Sequence, residues 1–318
     1  MDATQLEERL SRLSREPSFL LVATAFLLFT ICSALAGSAT WSSSPANGNW
    51  NSAPNWSPMT VPNGPADTAT FGSSSVTKVS ISANTEVDGM VFNPDAPAFT
   101  ISAKPTFLFF TISGLGINNL SGVTQNFVTV GQTIFKNNAT AGNMTVITNL
   151  GGENGGVTKF EDNSTAGSAI INNNAGDGTT AFLDNSSAGS ATINIYGDNR
   201  VNGFGGTTIF ADSATAADAT INVYGSSAAG AEKSYLFFEG PSSAGNATLI
   251  AYGSSGKGPP GVIQFGGGSS GGTARIELLG NSVLFVTVRL RLVPWKEPAS
   301  WTCRTLLLKR SSPWVAII

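Results

Sequence analysis

Asp162, Asp184 and Asp212 each stand two residues after a phenylalanine (Phe160, Phe182 and Phe210), and Glu161 follows the first of these directly. If the segments that carry them lie side by side as neighbouring strands, the aspartate Cα atoms fall about 5 Å apart. Retaining glycosidases hold their two carboxyl groups at about that separation, so the line is a candidate for polysaccharide cleavage. The same acidic line offers the oxygen ligands that Ca²⁺ prefers, although the Gly-Gly-x-Gly-x-Asp signature of calcium-binding solenoids is absent. A plainer reading competes with both. Aspartate beside a turn caps the corner by accepting backbone N–H bonds, and the same offset holds Asn137, Gly240 and Gly267 in other segments, as a corner would. Tyr196, Tyr224 and Tyr252 form a second candidate column, either to stack on sugar rings or to pack ring on ring. Asn-x-Ser/Thr triplets begin at Asn138, Asn143, Asn163, Asn185 and Asn246, acceptors for glycosylation in some export routes and also common corner sequences.

Composition removes several other chemistries. The 318 residues include no histidine, which excludes a histidine base and histidine-ligated zinc or haem. Two cysteines, Cys32 and Cys303, cannot form a disulfide framework or a cysteine-rich metal site. The net charge of −3 leaves no basic surface for nucleic acid in the bulk of the chain. The glycine runs lack the following Lys-Ser/Thr of a phosphate-binding loop. On this reading the chain is not an enzyme, and no catalytic, cofactor-binding or metal-ligating residue is assigned.

The elements that would position the aspartates come from an internal repeat. Copies begin at Phe135, Phe160, Phe182, Phe210, Phe238 and Phe265 and align without gaps. Seven residues after each Phe stands Gly142, Gly167, Gly189, Ala217, Gly245 or Gly272. Nine after it stands Met144, Ala169, Ala191, Ala219, Ala247 or Ala274, and eleven after it Val146, Ile171, Ile193, Ile221, Leu249 or Ile276. Alternation places Ala191, Ile193 and Ile195 on one face and Thr192, Asn194 and Tyr196 on the other, the pattern of a half-buried strand. A Ser/Thr-Ala-Gly corner separates that strand from a shorter one ending at the Phe, and length differences fall in glycine-rich loops such as 151–156, 203–206 and 256–261.

One such repeat cannot bury its own apolar face, whereas stacked repeats bury a continuous one. The expected fold is therefore all-β, a parallel β-helix or solenoid of roughly six regular turns, preceded by two to four irregular turns. An antiparallel sandwich is the competing arrangement, but its strands alternate in direction and do not explain columns in strict register. Trp41, Trp50 and Trp56 suit a folded cap over the first turn, where strand edges would otherwise be open.

Composition then divides the chain. Residues 1–36 read as a signal peptide: Arg9, Arg12 and Arg15 precede an apolar run from Phe19 to Cys32, then the small-x-small pattern Ala34-Leu35-Ala36. The run is too short to span a bilayer comfortably, so a mature chain starting near Gly37, with no stable membrane span, is expected. Residues 37–75 form the cap, 76–134 the irregular turns and 135–286 the regular repeats. Residues 287–318 carry six basic side chains against Glu297, three of the six Trp, and no Gly, Asn or Asp. So abrupt a break is read as a shift of reading frame, the alternative being a genuine basic segment that touches a membrane or partner.

The stretch from Thr40 and Trp41 through Trp50, Asn55, Trp56 and Pro62 to Asp67–Phe71, with the Phe-x6-Gly-x-Ala-Thr-Ile-Asn repeat, resembles bacterial autotransporter-type passenger proteins over roughly residues 40–285. That resemblance implies export through the inner membrane, outer-membrane or cell-surface location, and a role in surface display or adhesion, with a surface glycan or other cell-surface ligand as partner. Such proteins end in a translocator β-barrel, whose amphipathic strands are not seen after residue 286, so the chain reads as a truncated member. The alternative function is a carbohydrate-active β-helix enzyme, a polysaccharide lyase or hydrolase using the aligned aspartates.

Overall fold

A computed structural model describes residues 37–104, 107–152, 155–292, 300–309 and 315–317. The proposed signal peptide lies outside the described residues. Strands of about four residues alternate between two long sheets, one of thirteen strands and one of ten. Each regular strand pairs in parallel with its counterpart one turn away, as in Phe160↔Phe182↔Phe210 in the first sheet and Ile171↔Ile193↔Ile221 in the second. The chain is thus a parallel β-solenoid of about 9 turns. Three turns precede the regular repeats, and Gly64–Phe71, within the stretch read as a cap, already pairs in parallel with Thr85–Phe92.

The six phenylalanines form one continuous column. Successive rings from Phe135 to Phe265 lie 4.8, 4.7, 4.6, 4.9 and 4.7 Å apart, within 9° of parallel. Those distances match the spacing of hydrogen-bonded strands, so the backbone ladder itself sets the ring spacing. Burying each ring contributes about 1.5–3 kcal/mol, and a favourable aromatic pair about 0.5–1.5 kcal/mol more. Opposite the rings, Ala191, Ile193 and Ile195 are fully buried, as alternation requires.

Upstream, Trp41, Trp50 and Trp56 close the end of this core. Their rings meet edge to face at 5.0 and 4.8 Å, and all three lie within 6.1 Å of Phe71, which stacks on Phe92 at 5.1 Å. Each indole N–H donates to a carbonyl, of Val76, Pro62 and Trp50 respectively, so the buried rings leave no donor unpaired.

The corner sequence has a local cause. In every regular turn the hydroxyl of Thr140, Thr165, Ser187, Thr215, Ser243 or Ser270 accepts the N–H two residues on, at 3.0–3.1 Å. The residue donating that N–H takes a left-handed conformation, at φ 75, 61, 59, 48, 58 and 57 in the six turns. Five are glycine; the fourth is Ala217, whose Cβ makes that conformation unfavourable by about 1–2 kcal/mol.

Two features depart from the repeat as written. In the first copy, Ile147 and not Val146 aligns with Ile171, and Val146 pairs with Ile170. One extra residue after Gly142 is absorbed at Met144, which is exposed at φ 49, and Thr145 takes the buried place that Ala169 holds in the next turn. A one-residue slip exchanges the two faces of a strand, which is why the gapless alignment fails there. The second departure is a polar interior. Asn149 and Asn173 are wholly buried, and Asn149 Nδ2 donates to Asn173 Oδ1 at 2.7 Å. Thr158 and Thr180 donate to these amide oxygens at 2.6 and 2.7 Å, and Asn173 Nδ2 donates to Thr208 Oγ1 at 2.8 Å. In the asparagine column the following turns hold Ile195, Val223 and Ala251, and the threonine column continues one strand further to Thr208 before it changes to Leu236, Ile263 and Leu284. Beyond the repeats, Val283–Leu292 pairs in parallel with Val262–Phe265 and antiparallel with Ser300–Lys309.

Two outcomes follow for stability. Ala217→Gly is expected to raise the free energy of unfolding by about 1 kcal/mol, while Gly189→Ala lowers it by at least that much, because the added Cβ would stand 2.6 Å from the Gly167 carbonyl oxygen. Urea unfolding of both variants tests this, and shifts of the same sign would remove the left-handed corner as a cause. Ser186 has a buried hydroxyl with no hydrogen-bond partner in the protein, and Ala139 and Ala214 occupy the same place in other turns. Ser186→Ala should therefore be neutral or stabilising, whereas Asn173→Ala should cost at least about 2 kcal/mol by stranding its buried partners. Comparable losses for the two variants would contradict this assignment.

Candidate functional site

The aligned aspartates do come together, and their geometry answers the corner question. Asn137, Asp162, Asp184, Asp212 and Gly240 all sit at φ between 52 and 59, a conformation that asparagine, aspartate and glycine adopt most readily. Asp162 Oδ2 accepts the Asn137 N–H at 2.9 Å, Asp184 Oδ2 that of Asp162 at 3.0 Å, and Asp212 Oδ2 that of Asp184 at 3.3 Å. Each carboxylate thus clips its own turn to the one before. Glu161 stands aside from this line and pairs with Lys136 at 3.3 Å. Among the described residues, no three Asp, Glu, Cys or His side chains are placed to share a metal ion.

The tyrosine column packs ring on ring. Tyr196, Tyr224 and Tyr252 stack at 5.3 and 4.6 Å, within 15° of parallel, so the middle ring has a tyrosine on both faces and the end rings on one. Burial first, and the neighbouring Tyr224 second, push the Tyr196 hydroxyl pKa up. Beside this column runs an amide ladder on the outer face of the second sheet, where Asn194 donates to Asn172 and Asn222 to Asn194, both at 3.0 Å. The Asn-x-Ser/Thr asparagines Asn138, Asn143, Asn163, Asn185 and Asn246 are all exposed, whereas those of two further triplets, Asn55 and Asn119, are buried, and Asn138, Asn163 and Asn185 share one corner position in three consecutive turns.

A further constellation was not legible in the repeat, because it lies in a loop between two repeats. Asp198 is buried just after the Tyr196 strand and accepts from Arg200 Nε at 3.0 Å, Nη2 at 2.7 Å and backbone N at 2.8 Å. The hydrogen bonds and charge of Arg200 hold the Asp198 carboxyl below the usual carboxylate range, against the opposing effect of burial. Ser226 Oγ accepts the Asp198 N–H at 3.0 Å, and the Asp198 carbonyl accepts the Ser227 N–H at 2.9 Å, so the loop is tied to the next turn. Arg200 and Phe204, together with Gly152, Gly176 and Asp177 from earlier turns, line an open hollow of about 480 Å³. Only the glycines and the Asp-x-Arg spacing marked this loop in the sequence.

Comparison with family models, with curated proteins and with solved structures finds no match. The fold is that of a repeat protein of the parallel β-solenoid type, with a tryptophan-rich cluster at its first turn. No helix among the described residues is long and apolar enough to cross a membrane.

The Asp198–Arg200 pair makes a pH-dependent contribution to stability. A carboxyl whose folded pKa is depressed adds stability above its unfolded value of about 3.9, and that stability is lost as pH falls through the lower folded value. Asp198→Asn should therefore melt below the parent at neutral pH, and the gap should close as pH drops below about 3.9. Thermal melts followed by circular dichroism across that range test it; a gap that is constant with pH would show that packing, not charge, is at work.

Proposed function

We propose that this chain is an exported, non-enzymatic repeat scaffold of the autotransporter-passenger type, displayed at the cell surface and used for adhesion. The observation that carries the reading is the use made of its aligned carboxylates. Asp162, Asp184 and Asp212 each accept a backbone N–H from the preceding turn, the role of a structural staple. What faces outward is a set of repeated, shallow polar rows, such as the Asn172, Asn194 and Asn222 amides, spaced by the strand ladder. A surface of that kind binds a glycan or another cell-surface ligand through many weak contacts, and multivalent attachment gains strength without any deep pocket. The residue 1–36 segment supplies the route through the inner membrane. Nucleic acid is not a partner on this reading, and the mature chain carries no stable membrane span.

Expression of the full chain in a Gram-negative host tests the proposal. The exported product is expected to begin near Gly37 by mass spectrometry, to resist protease across residues 37–286, and to bind cells or glycan-coated surfaces. An uncleaved product confined to the cytoplasm would overturn export. Turnover of an acidic polysaccharide by the parent, lost on alanine replacement of Asp162, Asp184 and Asp212, would establish the carbohydrate-active enzyme instead.

A further inference from the structure

The hollow beside Arg200 differs in kind from the rows around it. Its floor is backbone, where Gly152 N–H donates to the Gly176 carbonyl at 2.8 Å and Gly176 N–H to the Phe204 carbonyl at 2.6 Å. The Arg200 guanidinium lies over Gly176, near enough that a Cβ there would stand 3.2 Å from Nη2. That guanidinium is fixed in two directions by the buried Asp198, so its remaining donors are held in place and not swept by a free side chain. On the rim, Phe204 keeps 57% of its surface exposed, a large value for an aromatic side chain in a loop otherwise tied down by hydrogen bonds. Asp177, next to Gly176 in the chain and exposed, adds a carboxylate to the lining.

We infer that this hollow is a seat for a neutral sugar unit. The argument is one of matched chemistry. A pyranose ring presents an apolar C–H face and a rim of hydroxyls that act as donors and acceptors at once. Here an exposed aromatic face stands beside a fixed planar donor, a carboxylate acceptor and bare glycine backbone, within a volume inside the range of about 300–1,000 Å³ usual for small-molecule sites. Charge decides between ligand classes. Among the described lining residues, Arg200 is already balanced by Asp198, and Asp177 leaves the three groups with a net negative charge, which opposes a uronate or phosphate. The Arg200 cation on the same rim opposes an ammonium. A neutral polar ligand meets neither objection.

This deepens the adhesion reading by giving the surface one discrete sugar seat, and it rests on that reading only for its biological setting. Its test uses purified full chain, so its failure would leave the export and cell-binding results untouched. Isotope-labelled protein is titrated with cellotetraose, maltotetraose and mannotetraose, with trigalacturonate as the acidic comparator, while the Arg200 Nε–H and Gly176 amide signals are followed. At least one neutral oligosaccharide is expected to shift both signals saturably at up to about 10 mM, tenfold above a millimolar Kd. Phe204→Ala should weaken that binding about tenfold, the equivalent of 1.4 kcal/mol, with an unchanged melting curve, and Phe204→Tyr, which keeps the ring, should retain it. Absence of a saturable shift with all three neutral sugars, tighter binding of trigalacturonate, or equal binding by the Phe204→Ala variant would each overturn the assignment.

Discussion

Parallel strands hydrogen-bonded to one another stand about 4.8 Å apart, and a chain that coils so that every turn advances by that distance must place equivalent residues directly over one another. Nearly everything else in the molecule follows from this constraint. Flat rings fit such a column because their stacking distance and the backbone spacing agree, and the Phe135–Phe265 series holds within 4.6–4.9 Å throughout. Carboxylates fit it when each finds a backbone donor one turn away, as Asp162, Asp184 and Asp212 do. Amides fit it because one side chain both donates and accepts, so Asn172, Asn194 and Asn222 carry a chain of bonds across three turns, up to the place that Ile250 takes. A column of like charges without such donors would repel itself.

The same constraint explains what was legible in the sequence. Columns are written as recurring letters at fixed offsets, so Phe160, Phe182 and Phe210, the left-handed glycines and the sense of Ala191, Ile193 and Ile195 could be read directly. The tryptophan cap was legible as well, since three large rings within sixteen residues have no place inside a repeat. What escaped was whatever belongs to a single turn. The extra residue at Met144 is invisible when copies are aligned letter by letter, because Met144 and Val146 are plausible occupants of apolar columns. Asn173 stands at the inward offset of Ile195 but is an exception to an otherwise apolar column, and Asn149 falls at an outward offset when the copies are aligned without the extra residue. Asp198, Arg200 and Phe204 lie between columns, where no neighbouring copy supplies a comparison.

The candidate site shows the converse. Three acidic residues at equal spacing suggested chemistry, and the φ values of 52–57 at Asp162, Asp184 and Asp212 show why those residue types occur there. The backbone needs a left-handed residue at that corner, and aspartate supplies one while adding an acceptor for the turn below. The Asp198 carboxylate, unlike these, is buried and charge-paired, and it orders a loop that stands out from the stack. In a solenoid, positions that repeat build the scaffold, and individuality belongs to the excursions.

The threonine and asparagine interior, from Thr129 and Thr133 to Thr208, marks off a length of the stack whose temperature behaviour differs from that of the leucine, isoleucine and valine interior that follows it. Apolar burial weakens as water cools, whereas a closed network of amides and hydroxyls does not depend on that driving force to the same degree. In a quasi-one-dimensional stack each turn answers mainly to its neighbours. The aliphatic stretch, with Ile195 and Leu236 at its start, is accordingly the part that loosens first toward freezing, and the amide-lined stretch that ends at Thr208 is the part that keeps its winding.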